Sequence, residues 1–458
     1  MQRWSERQVI LAISMASAFF MPFMLSSVNV AMPAIGREFS VNAVTLSWVA
    51  TAYLLSAAVF LLPFGRIADI YGKKKIFQLG ILSFALTTFL CSLAPNIRLL
   101  IAFRAFQGMS SAMIFGTGTA ILTSAFPTSD RGRVLGLNVA SVYLGLSLGP
   151  VLGGVLTQHI GWRSLFWVTV PFSLALAGMI WLWMKNEWIS AKDETFDWFG
   201  SVFYGASLLS VFFGFSHLPS NFGIGFLILG IVGLIGFGVY QTKIKSPILN
   251  VQVFRHNRVF VFSSLAALIN YSATYAIAFL VSLYLQYAKG LTPQNAGFIM
   301  MSQPVMQAAF SPFAGRLSDR VESRKIATSG MLLTAIGLFL MTFLSNTTPI
   351  VFVIGALLLL GIGFAFFSSP NTNAVMGAVE KKYYGVASGL LGTMRLTGQM
   401  FSMAVTTLIF ALIIGNNRSL HDNPGLFLKS ETLIFIILTV LCTIGIFFSL
   451  ARGKAKTE

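Results

Sequence analysis

Two arginines, Arg104 and Arg395, stand inside long apolar runs, while no aspartate or glutamate occupies the middle of any such run. A guanidinium there can hold an anion, a carbonyl oxygen or an aromatic face. Left alone in hydrocarbon it costs about 2.5–3.5 kcal/mol on insertion scales. Arg104 lies about one turn inside its run, so reaching back to the boundary is the competing role. The carboxylates Asp69, Asp130, Asp319 and Glu380 fall between runs, and Glu38 and Glu431 fall near run ends. The histidines His159, His217, His256 and His421 are likewise at ends or between runs. Enzymatic chemistry needs a positioned acid, base or nucleophile, and the runs offer none. Cys91 and Cys442 both sit within apolar runs, the setting of inert buried thiols rather than a disulfide framework.

The remaining polar side chains within the runs are the candidates for lining a cavity: Asn29, Tyr53, Asn270, Tyr271, Tyr275, Gln303, Gln307, Asn371, Asn373, Arg395 and Gln399. Pro304 and Pro370 mark bends beside them. For any one of these residues, a hydrogen bond between helices is the ordinary role. The chain also has 43 phenylalanines. Packing and lipid contact account for most, and an aromatic cavity for lipophilic cargo would look the same.

The elements that must position these groups are apolar and repetitive. Of 458 residues 56% are hydrophobic and only 10% charged, with a mean hydropathy of +0.79. Soluble proteins carry roughly a quarter charged residues. Apolar runs lie near 9–32, 46–64, 76–94, 99–125, 134–157, 164–184, 199–218, 223–241, 259–286, 295–313, 326–345, 350–377, 386–414 and 432–451. About 20 apolar residues cross a bilayer as a helix, and barrel strands are much shorter, so the runs predict an all-α membrane protein. The first run follows Arg3 and Arg7 as a signal peptide would. It continues past Met24 without a cleavage site and reads as a spanning helix.

A net charge of +17 invites a nucleic-acid partner. The basic residues are instead dealt out loop by loop. Arg37, Arg98, Arg163, Lys289, Arg418 and Lys429 fall on one side, and Arg104 and Arg395 within runs. Clusters such as Lys73–Lys75, Arg131–Arg133 and Lys381–Lys382 fall on the other. By the positive-inside rule that crowded side is cytoplasmic. The expectation is a multi-pass protein of the cell membrane with both termini in the cytoplasm and no nucleic-acid partner.

An internal repeat is visible. Gly65-Arg66-Ile67-Ala68-Asp69 recurs 250 positions on as Gly315-Arg316-Leu317-Ser318-Asp319, and Asp130-Arg131 recurs as Glu380-Lys381 at the same offset. A duplicated unit follows: residues 1–190 as an N-terminal six-helix bundle, 191–250 as two additional helices with a linker, and 251–458 as a C-terminal six-helix bundle.

Three motifs carry a family resemblance. Gly65 to Lys75 holds Gly65, Asp69, Gly72, Lys73 and Lys74 in order, where glycines allow helix ends to approach and the carboxylate can face a helix N-terminus or an arginine. Arg104-Ala105-Phe106-Gln107-Gly108 places the arginine on the fourth run. The fifth run carries Gly136, Gly145, Gly149, Pro150, Gly153 and Gly154, small residues for tight helix contact plus a bend. Together these resemble the major facilitator superfamily, and specifically its fourteen-helix drug–proton antiporter branch. Asn29-Val30-Ala31-Met32-Pro33, Gly161-Trp162-Arg163, Phe166-Trp167, Tyr284-Leu285-Gln286 and Ala296-Gly297 are similar to the same branch. Three departures stand out: Ile70 replaces a basic residue, Glu322 replaces the second glycine of the repeated loop, and Met24 occupies the place of a carboxylate common in that branch.

The resemblance implies a major facilitator fold of about 14 helices, two six-helix bundles plus two inserted helices. It implies secondary active efflux of small amphipathic molecules by alternating access, with protons as the candidate coupling ion, no cofactor, no metal, and a monomer in the bilayer. The motif loops, including Asp319, and Arg104, Gln107 and Gly108 would serve gating and coupling. A second reading is export of organic anions or lipids driven partly by membrane potential. A membrane scaffold or enzyme is the non-transport reading.

Overall fold

The computed structural model describes residues 6–192, 194–249, 257–379, 384–415 and 424–453, with the backbone alone at Thr128, Ser129, Arg131, Gly132, Asp319, Tyr384, Gly385 and Pro424. Of the residues named above, Arg3, His256, Glu380, Lys381, Lys382, Arg418 and His421 lie outside the described residues. The helices are α1 (Glu6–Phe39), α2 (Ala43–Tyr71), α3 (Lys73–Ser92), α4 (Ile97–Ala125), α5 (Thr128–His159), α6 (Arg163–Trp183), α7 (Trp198–Ser216) and α8 (Asn221–Gln241). They continue as α9 (Arg258–Thr274), α10 (Ala276–Leu283), a π-helical turn (Tyr284–Ala288), α11 (Pro293–Met300), α12 (Ser302–Arg320), α13 (Ser323–Met341), α14 (Ile350–Gly377), α15 (Tyr384–Ile413) and α16 (Pro424–Ala451). No strand occurs among the described residues.

Among the described residues thirteen rods are long and apolar enough to cross a membrane, counting Arg258–Ala288 as one. The fourteenth is α11 followed by α12. Short polar side chains start several rods by taking up amide groups that have no helical partner. Asn42 accepts from Thr45 N at 2.7 Å, Asn96 from Leu99 N at 2.9 Å and Asn257 from Phe260 N at 3.0 Å. The outward faces stay apolar, as with Leu79, Leu82 and Leu86 on α3 and Ile228, Val232 and Ile235 on α8, all exposed for lipid.

Packing repeats between the halves. In the first, α1 lies on α5, α4 on both α2 and α3, and α3 on α6. In the second, α9 lies on α15, α14 on both α12 and α13, and α13 on α16. The halves meet along two related seams, α2 with α15 and α5 with α11 and α12. The α7–α8 pair docks through α7 against α2 and α15. Its ends are tied by Asp197, which accepts from Gly200 N and from Gln241 Nε2, both at 2.8 Å.

Two rods are broken, where the apolar pattern predicts continuous spans at 259–286 and 295–313. Between α9 and α10, the Ala276 amide donates to Ser402 Oγ of α15 at 3.0 Å instead of continuing the helical ladder. Between α11 and α12 the chain turns at Met301, three residues before Pro304. Proline has no N–H to offer the carbonyl one turn back. Pro370, by contrast, lies within an unbroken α14.

Candidate functional site

The two breaks lie in the second half where it faces the first, and polar side chains gather beside one of them. Arg104 on α4 is wholly buried, so the snorkelling alternative is wrong: it cannot reach the boundary. Its Nε donates to the Val49 carbonyl at 3.0 Å, its Nη1 donates to Gln107 Oε1, and its guanidinium lies 4.4 Å from the Tyr53 ring centre. Gln107 in turn donates to Thr88 Oγ1 at 2.6 Å. A Cβ at Gly108 would collide with the Tyr53 backbone. Arg104, Gln107 and Gly108 therefore pin α4 against α2 and α3. A buried cation held only by neutral acceptors keeps an unspent charge.

That charge points to the seam. Arg104 Nη2 has no partner, and Tyr275, at the α9–α10 break, is within electrostatic reach of Arg104, Tyr53, Asn29 and Arg395. The Tyr275 hydroxyl and the Asn29 side chain lie within reach of each other, and among the described residues neither the hydroxyl nor Asn29 Oδ1 has another partner. Asn270, fully buried just over a turn earlier on α9, satisfies neither its amide nitrogen nor its oxygen. Arg395 of α15 lies 5.4 Å from the Tyr271 ring centre. Gln286 in the π turn donates to the Val30 carbonyl of α1 at 2.8 Å and leaves Oε1 free of any bond. Each unsatisfied buried group costs about 1–3 kcal/mol. They cluster where the two halves meet.

Other proposed lining residues go elsewhere. Asn373 is exposed near the motif loops and donates to Ser318 Oγ at 2.7 Å, because α14 presents it at that end. Asn371 donates to the Ser263 carbonyl at 3.2 Å and accepts from Arg452 at 3.1 Å. Gln307 and Gln399 are buried, and the Gln303 carbonyl packs on Gly361 of α14. Arg452 gives no sign in the sequence beyond its place after the last run, yet it is 1% exposed and held by Asn371, Ser263 and Ser449. Burial, and then Arg324, draws it down to about 10, still charged at neutral pH.

The fifth-run glycines act at two contacts. A Cβ at Gly145, Gly149 or Gly153 would run into Phe19, Ser26 or Ser27 of α1, and Ser27 donates to the Gly149 carbonyl at 2.9 Å. Gly154 instead abuts Pro293 and Gln294 of α11, and the Pro150 carbonyl abuts Gly297. Gly136 has nothing within 4 Å and lies outside these contacts. At this end, far from the motif loops, the halves are closed: Tyr287 donates to the Pro33 carbonyl at 3.2 Å and His159 meets Gln294 at 3.2 Å.

At the motif-loop end, Gly72 takes φ +119°, which favours glycine, and a Cβ there would strike Glu187. Asp69 pairs with Lys73 at 3.3 Å, whose Nζ also donates to Ser190 Oγ at 2.5 Å. The carboxylate seated at the α3 N-terminus is not Asp69, as the motif suggests, but Glu187 of the α6–α7 linker. It accepts from Lys74 N at 2.8 Å and Lys75 N at 3.3 Å. Arg66 pairs with Glu194 of the same linker. A Cβ added at Gly65 would meet nothing within 4 Å. The Asp319 side chain lies outside what is described.

Repeated bundles of membrane-crossing helices, meeting along a polar seam, define a membrane transport protein. The family model of the Major Facilitator Superfamily matches residues 14–260 and 263–458, and the chain belongs to that family. It is 27% identical over 448 residues to the riboflavin transporter RibZ of Clostridioides difficile, covering 97% of this chain and 96% of that one. It is 29% identical over 414 residues to the multidrug resistance protein Stp of Mycobacterium tuberculosis, covering 89% and 76%. Among solved structures, a bacterial homolog of the human lysosomal transporter Spinster, inward-facing and unoccupied, superposes with a TM-score of 0.66 at 16% identity, over 98% of this chain and 97% of that one.

Proposed function

We propose that this protein is a secondary active exporter of small amphipathic molecules in the cell membrane, working as a monomer by alternating access. In this reading residues 1–190 and 251–458 rock against each other about the seam, with 191–250 as an accessory pair. The observation that carries it is the cluster of buried polar groups beside the α9–α10 break, where Asn270 and Arg104 Nη2 have no partner among the described residues and Asn29 and Tyr275 have only each other. Broken helices at a repeat interface are where transporters hold cargo. The fifth-run glycines, gripping both α1 and α11, support export with proton coupling. Multidrug resistance in the Stp relative supports broad cargo, and riboflavin transport in the RibZ relative supports a planar, uncharged one.

Cargo charge follows from the side chains. Arg104 and Arg395 face the seam without a carboxylate among the described residues around them. Burying unpaired charge is costly, so neutral, zwitterionic or anionic cargo fits and dications do not. Outward movement of an anion is favoured by about 2.3 kcal/mol per charge per 100 mV of inside-negative potential. Organic-anion export is therefore the second reading. The test is uptake of riboflavin and of neutral and anionic dyes into proteoliposomes of the purified protein. Tyr275→Phe and Asn270→Ala should each weaken saturable transport, and unchanged half-saturation in both would remove the site from the seam.

A further inference from the structure

Glu431 of α16 is 1% exposed, and neither of its carboxyl oxygens has a hydrogen-bond partner among the described residues. An ionised carboxylate in that state is far costlier to bury than the neutral acid. Among the described residues, the groups around it supply no counter-charge. From the π turn, which α16 contacts, Tyr284 faces it, and Tyr284 itself donates to the Ser345 carbonyl at 2.7 Å. Lys289 lies beyond the Tyr284 ring, 5.8 Å from its centre, with its amine on the Asn346 carbonyl. The charged residues of α13, Arg324 and Lys325, and of α9, Arg258, sit at the opposite end of their helices, and Arg395 of α15 lies against Tyr271. Lys429, two residues away on α16, is exposed on another face.

The π turn also belongs to the closed end, because Gln286 and Tyr287 donate from it to the Val30 and Pro33 carbonyls of α1. A π turn carries an extra residue in its helical ladder, a form concentrated at functional sites. Separating the halves at this end must break those two bonds and shift the turn that covers Glu431. We propose that Glu431 is a proton-binding site tied to this gate: it holds its proton while the end is shut and releases it when opening admits water. The proposal rests on the transporter reading and supplies the ionisable group that the seam lacks. One proton is taken up from the water on the gate's own side as the end closes and returned to that side as it opens, so the site sets the pH dependence of closure and by itself carries no net proton across the membrane.

The test needs no cargo, so it stands apart from the flux test of the transporter reading. Protein in liposomes at neutral pH should show the infrared band of a protonated carboxyl, lost in Glu431→Gln. A cysteine at Gln294, which lies against α5 when the end is closed, reports opening by its rate of thiol labelling. Cys91 and Cys442 are fully buried and serve as silent background. Labelling, divided at each pH by the rate of a free model thiol to remove thiolate ionisation, should rise several-fold between about pH 6 and pH 9 in the parent, a window above ordinary carboxylate titration, and stay low and flat with Glu431→Gln. His159 is common to both and cancels. The same pH profile in both, a flat profile in the parent, or no carboxyl band lost with Glu431→Gln would each overturn the proposal. Should the glutamine variant not fold, the band is sought in the parent alone, with Glu431→Met as its reference.

Discussion

The Pro150 carbonyl of α5 lies over Gly297 of α11 so closely that a Cβ at 297 would overlap it. The contact joins the two halves at the closed end, so it exists only in conformations where that end is shut. Gly297→Ala should disfavour closure by about 1–3 kcal/mol, the usual cost of overpacking. The measurement is thiol labelling at Gln294→Cys, which should accelerate, with transport falling in parallel. Gly136→Ala should leave both unchanged, and equal effects at the two positions would contradict the assignment of the contact.

Arg104→Lys should leave insertion intact and strongly reduce transport. Lysine keeps the charge but cannot reach Val49, Gln107 and the Tyr53 ring together. Each lost charged hydrogen bond costs about 1.5–3 kcal/mol. Initial rates in proteoliposomes, with expression matched, check this. A lysine variant with parental rates would reduce Arg104 to a tolerated charge.

Selectivity should follow charge. Matched anionic, monocationic and dicationic dyes, with pH gradient and potential imposed separately, should rank in that order of export. Saturable export of a dication driven by the pH gradient would sink this expectation and require a carboxylate at the seam.

Glu187→Ala should lower thermal stability in detergent by about 1 kcal/mol, the usual worth of a capping side chain. Asp69→Asn should cost less, since its pair with Lys73 is partly exposed. The opposite ranking would return the structural role to the motif aspartate.

Topology is checked by impermeant thiol reagents on intact cells. Lys75→Cys should resist labelling and Asn346→Cys, exposed at the other end, should react. The reverse pattern would invert the orientation.

The all-helical architecture and the duplication were legible in the sequence because they rest on one-dimensional signals. Lipid demands long apolar helices, and a repeated loop keeps its spacing after duplication. The α5 glycines were legible too, since close packing leaves a trace in residue size. The sequence could not say that Gly145, Gly149 and Gly153 serve α1 while Gly154 serves α11, because that depends on which side of the rod meets which neighbour.

What only the tertiary structure decided is where polar groups end up without partners. Glu187 takes the place expected of Asp69 because the linker folds back over α3, a contact between residues far apart in the chain. Asn373 and Asn270 look alike in the sequence, yet one is satisfied at a helix end and the other is buried unbonded at the seam. The rod spanning Arg258–Ala288 reads as continuous because apolar composition is blind to backbone hydrogen bonding. Its break at Tyr275 depends on Ser402, brought from α15 to take the Ala276 amide. By itself the sequence determined which segments enter the membrane, since transfer free energy adds residue by residue. Which buried charges and amides remain available to a ligand is a property of pairs, and only the packing of the two halves chooses the pairs.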